Sequence, residues 1–185
     1  YRALPGATVI DVADATAFEA ALWMCKDNKG VNYIRTGRKN NIAVYGEGTE
    51  FKIGKANVLR DGKDCVIVAC GLMVAEALGA AKILEAEGID VAVIDPVTIK
   101  PLDTDTILAY AKKCGCVVTA ENANVNGGLG AAVSEFLGEN HPTLIKRVGV
   151  NDEFGEVGDE AYLRERFGLT KENLAEKVRE TVKKK

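Results

Sequence analysis

Histidine is nearly absent. The chain has one, His141, among 185 residues, so it holds no histidine cluster for zinc. Long apolar runs are absent too: no stretch approaches the ~18 uncharged apolar residues that read as a membrane-crossing helix. Tyr1-Arg2 is not followed by the apolar run of a signal peptide. There is no excess of positive charge either. Lys and Arg number 24 against 27 Asp and Glu, a net charge of −3, which argues against a nucleic-acid binder. The paired Cys-x-x-Cys spacing of zinc and redox sites is also missing. Cys25, Cys65, Cys70, Cys114 and Cys116 are odd in number, and Cys114-Gly115-Cys116 puts one residue, not two, between sulfurs. Four of the five lie in or beside apolar runs, the pattern of reduced, buried cysteines in a cytosolic protein. The apolar share is 47%, enough for a buried core and too much for a disordered chain. The first residue is Tyr1 rather than Met, which points to a piece of a longer protein.

Along the chain, short β-rich runs alternate with helical patterns. Thr8–Ala13 reads as a strand, and Asp14 and Thr16 are candidate helix caps. Phe18, Leu22 and Cys25 then share a helical face, and Val31–Thr36 reads as a second strand. A β-α-β unit of this size buries its strands only inside a larger sheet, so further strands are expected upstream. The polar segment 37–41 and Tyr45–Thr49, read as a linker, separate this unit from the rest of the chain. Strands over Lys55–Arg60 and Lys63–Cys70 flank Asp61-Gly62, a hairpin signal. Next come a helix over Met73–Glu87, a strand at Val91–Ile94, a Pro-containing loop from Asp95 to Asp103, a helix capped at Asp103 or Thr104, and a strand from Cys116. Gly127-Gly128-Leu129-Gly130 opens another helix, Leu144–Val148 is the last strand, and two short helices close the chain. The expectation is an α/β fold: a mostly parallel sheet with helices on both faces, preceded by a partial β-α-β unit, with a division at residues 1–45 and 46–185.

Few residues suggest chemistry. Gly127-Gly128-x-Gly130 at a helix start could hold an anion on backbone N–H groups, but it is not the full dinucleotide fingerprint, and close strand–helix packing explains it better. Asp95 to Asp103 is polar and ends a strand, where parallel sheets bind ligands, yet Asp103 as a cap and Lys100 as a surface charge account for it. Glu121 could be a general base, but no nucleophile stands beside it, so hydrogen bonding to the Asn-rich loop after it is preferred. Arg35 and Arg38 end the second strand. A guanidinium at Arg38, among Gly37, Lys39 and Asn40, suits a phosphate or carboxylate as well as it suits solvent or an ion pair.

Four segments, in order and covering the whole chain, together resemble the C-terminal part of transketolase. They are Tyr1–Pro5 followed by Val9–Asp14, Tyr33-Ile-Arg-Thr-Gly-Arg38, Val93–Asp103, and Glu121 with Gly127–Val133. The resemblance implies a thiamine diphosphate enzyme that moves a two-carbon ketol unit between sugar phosphates in the cytoplasm. It implies residues 1–45 as the end of a pyrimidine-binding domain and 46–185 as the C-terminal domain, used for scaffolding and dimer packing. The cofactor and its divalent metal, Mg or Ca, would be held by the remaining transketolase section or an N-terminal subunit. The family's Gly-Asp-Gly metal motif does not occur here, and its activating glutamate belongs upstream of Tyr1. One residue carries over: Arg38 matches the family's arginine for the substrate phosphate, with Gly37 where relatives often have Ser. Two alternatives stay open. One is the corresponding part of 1-deoxy-xylulose-5-phosphate synthase or of a 2-oxo acid dehydrogenase β subunit, although the synthase's His after the acid is Asn122 here. The other is a non-catalytic α/β assembly domain.

Overall fold

Period-two alternation in the central strands sorts their side chains into two cores. In the strand Cys65–Ala69, residues Cys65, Ile67 and Ala69 join one cluster, while Val66 and Val68, with Cys70 just beyond, join the other. The strand Cys116–Asn124 divides the same way, with Cys116, Val118 and Ala120 against Val117. Strands apolar on both faces need cover on both faces, and helices supply it. The computed structural model describes residues 1–38 and 41–185. Lys39 and Asn40, part of the polar segment after the second strand, lie outside the described residues.

In chain order the elements are β1 Thr8–Asp11, α1 Ala15–Lys26, β2 Asn32–Arg35, β3 Asn57–Arg60, β4 Cys65–Ala69, α2 Met73–Glu85, β5 Val91–Asp95, β6 Thr98–Lys100, α3 Thr104–Cys114, β7 Cys116–Asn124, α4 Leu129–Asn140, β8 Leu144–Val150, α5 Glu160–Arg166 and α6 Lys171–Val182. They build a five-stranded sheet, β3-β5-β4-β7-β8, and a three-stranded sheet, β2-β1-β6. In the larger sheet β5, β4, β7 and β8 run parallel and β3 is an antiparallel edge. Helices α2 and α6 pack on one face with Val74, Ala77, Leu84, Leu174 and Val178. Helices α3 and α4 cover the other with Ile107, Ala111, Leu129, Val133 and Leu137. This is the α/β arrangement expected from the alternation of strands and helices.

Three local readings change. Asp61-Gly62 does not turn a hairpin: β3 pairs with β5, not with β4. The chain instead crosses the end of β5, where Lys63 and Asp64 donate their N–H groups to the Asp90 carbonyl at 3.0 and 2.8 Å. Gly62 is glycine because a Cβ there would lie 2.3 Å from the Val91 carbonyl carbon. Second, the loop between the prolines contains β6, which pairs antiparallel with β1 and ties the two sheets together. Third, Phe18 and Leu22 of α1 are exposed, and the helix packs through Ala17 and Ala21, whose small side chains let it lie close to the sheet. Asp14 is its cap, accepting from Ala17 N at 2.9 Å. Tyr45, in the stretch read as a linker, is buried, stacks edge-on against Phe51 and donates its hydroxyl to Asp95 at 2.8 Å.

Candidate functional site at the carboxyl ends of the strands

Parallel strands present their carboxyl ends on one side, and that is where such sheets bind ligands. Here the ends of two sheets meet. Asp11 closes β1, Arg35 closes β2, Cys70 comes directly after β4, and Glu121 and Asn122 lie on β7. Of these, Asp11, Arg35, Cys70 and Asn122 form one network. Arg35 Nη1 donates to Asp11 Oδ2 at 3.1 Å and also to the side-chain oxygen of Asn122, and Arg35 Nη2 donates to the Asn122 main-chain oxygen at 2.7 Å. The Cys70 thiol donates to Asp11 Oδ2 at 3.4 Å. Burial pushes the Asp11 carboxyl above its usual range, and the Arg35 guanidinium opposes that shift.

Above this network opens a cleft of about 670 Å³. Thr36, Gly37, Arg38 and Asn41 form one side, Leu72 and Asn122 contribute to its lining, and Asp159, Glu160 and Arg164 come from the start of α5 and from its body. The acidic groups on that side are engaged. Asp159 accepts from Tyr162 N at 2.8 Å as the cap of α5, and Glu160 pairs with Arg164, which also reaches Glu76 at 2.7 Å. Arg38 is exposed at the cleft, and among the described residues no carboxylate pairs with it. A cation in this state can bind an incoming oxyanion without first breaking an ion pair. Gly37 beside it is packed tightly: a Cβ would lie 2.5 Å from Asn41 Oδ1, and Asn41 is itself anchored by donating to the Ala13 carbonyl at 2.9 Å. A serine here would have to displace Asn41.

The other residues singled out from the sequence prove structural. Glu121 does not serve the Asn-rich loop. Its two oxygens accept from Leu129 N at 3.0 Å and Gly130 N at 2.8 Å, capping α4 from inside the core. Burial raises its pKa, and these two N–H donors hold it down. Gly128 and Gly130 are required by close approach, since Cβ atoms there would meet Glu121 Oε2 at 1.8 Å and Thr119 Oγ1 at 2.8 Å. The glycine motif is thus filled by a carboxylate of the same chain, not left open for a ligand. Lys100 donates to the Arg2 and Leu4 carbonyls at 3.0 and 2.6 Å, and Asp103 caps α3 while accepting from Ala56 N at 2.9 Å. Asp95 is fully buried, accepts from the Tyr45 hydroxyl and, at 2.8 Å, from Val97 N, and burial pushes its carboxyl up to about 7. That second bond supports Val97 at φ +56°, a strained value for a β-branched residue.

Nothing in the residue pattern paired Arg35 with Asn122. The one sign of Asp11 was a charged residue inside an apolar strand, which in a buried sheet calls for a cationic partner. Among the described residues no group of three His, Cys, Asp or Glu side chains is placed to hold a metal ion. The buried carboxylates Glu121, Asp11 and Asp95 are already committed to partners within the chain. Among the described residues no helix is long and apolar enough to cross a membrane.

Comparison with known proteins bears on this arrangement. Residues 54–174 match the family model described as the transketolase C-terminal domain. The 6-deoxy-6-sulfo-D-fructose transketolase subunit SqwH of Clostridium sp. (strain MSTE9) is 46% identical over all of this chain, which spans 57% of that protein. Human transketolase is 34% identical, again over all of this chain, which spans 30% of it. Among solved structures, a split-gene transketolase described as an inactive β4 tetramer superimposes with a TM-score of 0.93 at 42% identity, over 98% of this chain and 59% of that one.

Proposed function

Since the chain belongs to the transketolase C-terminal domain family, we propose that it is the C-terminal part of a transketolase, a transferase that moves two-carbon ketol units between sugar phosphates. In this reading residues 1–45 end the pyrimidine-binding domain and 46–185 form the C-terminal domain. All five strands of the larger sheet fall in the second segment, which supports the division. Thiamine diphosphate and a divalent metal are supplied by a separate diphosphate-binding section, and the complete unit is a cytoplasmic homodimer.

The observation that carries the reading is Arg38, a guanidinium at the mouth of a cleft with no carboxylate partner among the described residues. A charge-assisted bond from it to the terminal phosphate fixes the far end of the sugar, and that orientation places the reacting carbonyl. Assembled with its diphosphate-binding section, thiamine diphosphate and magnesium, the chain is expected to transfer two carbons from a ketose phosphate to an aldose phosphate. An assembled enzyme that instead condensed pyruvate with an aldose phosphate would point to the synthase. A second reading is favoured by the 46% relative. The terminal oxyanion could then be a sulfonate, and offering 6-deoxy-6-sulfo-D-fructose beside fructose 6-phosphate separates the two.

A further inference from the structure

We propose that Arg35 is a positioning residue, clamped by Asp11 and Asn122 so that the segment 36–38 carries Arg38 over the cleft. The inference rests on the assignment of Arg38 to the substrate's terminal oxyanion.

The two arginines stand three residues apart in opposite circumstances. Arg35 is neutralised by Asp11, a carboxylate only 4% exposed, and both of its terminal nitrogens are engaged. It is therefore poorly suited to take an anion itself. Arg38 has no carboxylate partner among the described residues. β2 ends at Arg35, whose carbonyl accepts from Val12 N at 3.2 Å, and among the described residues the next anchor is Asn41 on the Ala13 carbonyl. The Arg35 side chain thus fixes the point from which the segment carrying Arg38 departs.

The clamp also crosses between sheets. Asp11 belongs to the three-stranded sheet and Asn122 to β7 of the five-stranded sheet, where it lines the same cleft as Arg38. Through it the larger sheet acts on the placement of Arg38. An error of about 1 Å in a positioned group can lower activity ~100-fold, so a loosened clamp has leverage on Arg38.

The test uses the assembled enzyme and two variants. Asn122→Ala removes one acceptor at a half-buried side chain, and Arg35→Lys keeps the charge but loses the fork. Each is expected to raise KM for a ketose phosphate about 5- to 10-fold with kcat within about 2-fold, and to leave KM for an unphosphorylated ketol donor unchanged. In an Arg38→Ala background the effect of Asn122→Ala is expected to shrink below about 2-fold, because the clamp then has nothing to position. If Asn122→Ala acts equally on both donors, or equally with and without Arg38, the inference is overturned while the role of Arg38 stands. If Arg38→Ala itself fails to discriminate between the donors, the role assigned to Arg38 falls and the inference with it.

Discussion

Replacing Arg38 with alanine in the assembled enzyme is expected to raise KM for sugar phosphates by about 30- to 100-fold, because a charge-assisted, forked contact is worth roughly 2–3 kcal/mol and each 1.4 kcal/mol is tenfold. KM for an unphosphorylated ketol donor should change by less than about 2-fold, since that substrate has no terminal oxyanion to lose. The side chain is exposed and makes no ion pair among the described residues, so the melting temperature should not move. Arg38→Lys should recover only part of the loss, because an ammonium supplies charge without the planar fork. Steady-state kinetics with both donors decide the matter: an equal rise for each removes Arg38 from the phosphate end of the substrate.

The second large effect concerns stability. Asp95 is buried and its carboxyl is pushed up to about 7, whereas an unfolded chain titrates aspartate near its ordinary value of ~3.9. Between those two values the folded state holds a proton that the unfolded state has released. The stability associated with this proton is fully present below about pH 4 and is lost as the pH rises through 7. From pH 5 to pH 8 the loss from this group is on the order of 2–3 kcal/mol. Asp95→Asn has nearly the same shape and does not titrate. Its melting temperature should fall less than the wild type's across that interval, while the lost acceptor for Tyr45 or Val97 lowers it at acidic pH. Parallel melting curves of the two proteins at pH 5 and 8 would contradict the assignment.

Much of the fold was legible because buried parallel strands leave a strong mark. Cys65–Ala69, Val91–Asp95 and Cys116–Ala120 are short apolar runs bounded by turn residues, and the helices between them carry apolar stripes at helical spacing. The features that escaped depended on partners distant in sequence. Asp61-Gly62 has the composition of a hairpin turn, but its glycine answers to the backbone of β5, about thirty residues on. β6 was hidden by flanking prolines and is a strand because β1 lies beside it. On α1 the largest apolar residues mark a face that the described residues leave open, and Ala17 and Ala21 form the contact instead. At the site the same division holds. Arg38 was visible as a cation in a polar segment after a strand, whereas its support by Arg35, Asp11 and Asn122 joins three strands from two sheets.

Function in this proposal divides between two parts of the enzyme: this chain grips the far end of the substrate and frames the site, and thiamine diphosphate is held elsewhere. Calorimetric titration of thiamine diphosphate and magnesium is the decisive experiment, run once on this chain alone and once on the chain assembled with its diphosphate-binding section. No measurable heat of binding is expected from the chain alone, and micromolar affinity is expected from the assembly. Micromolar binding by the chain alone would contradict the division.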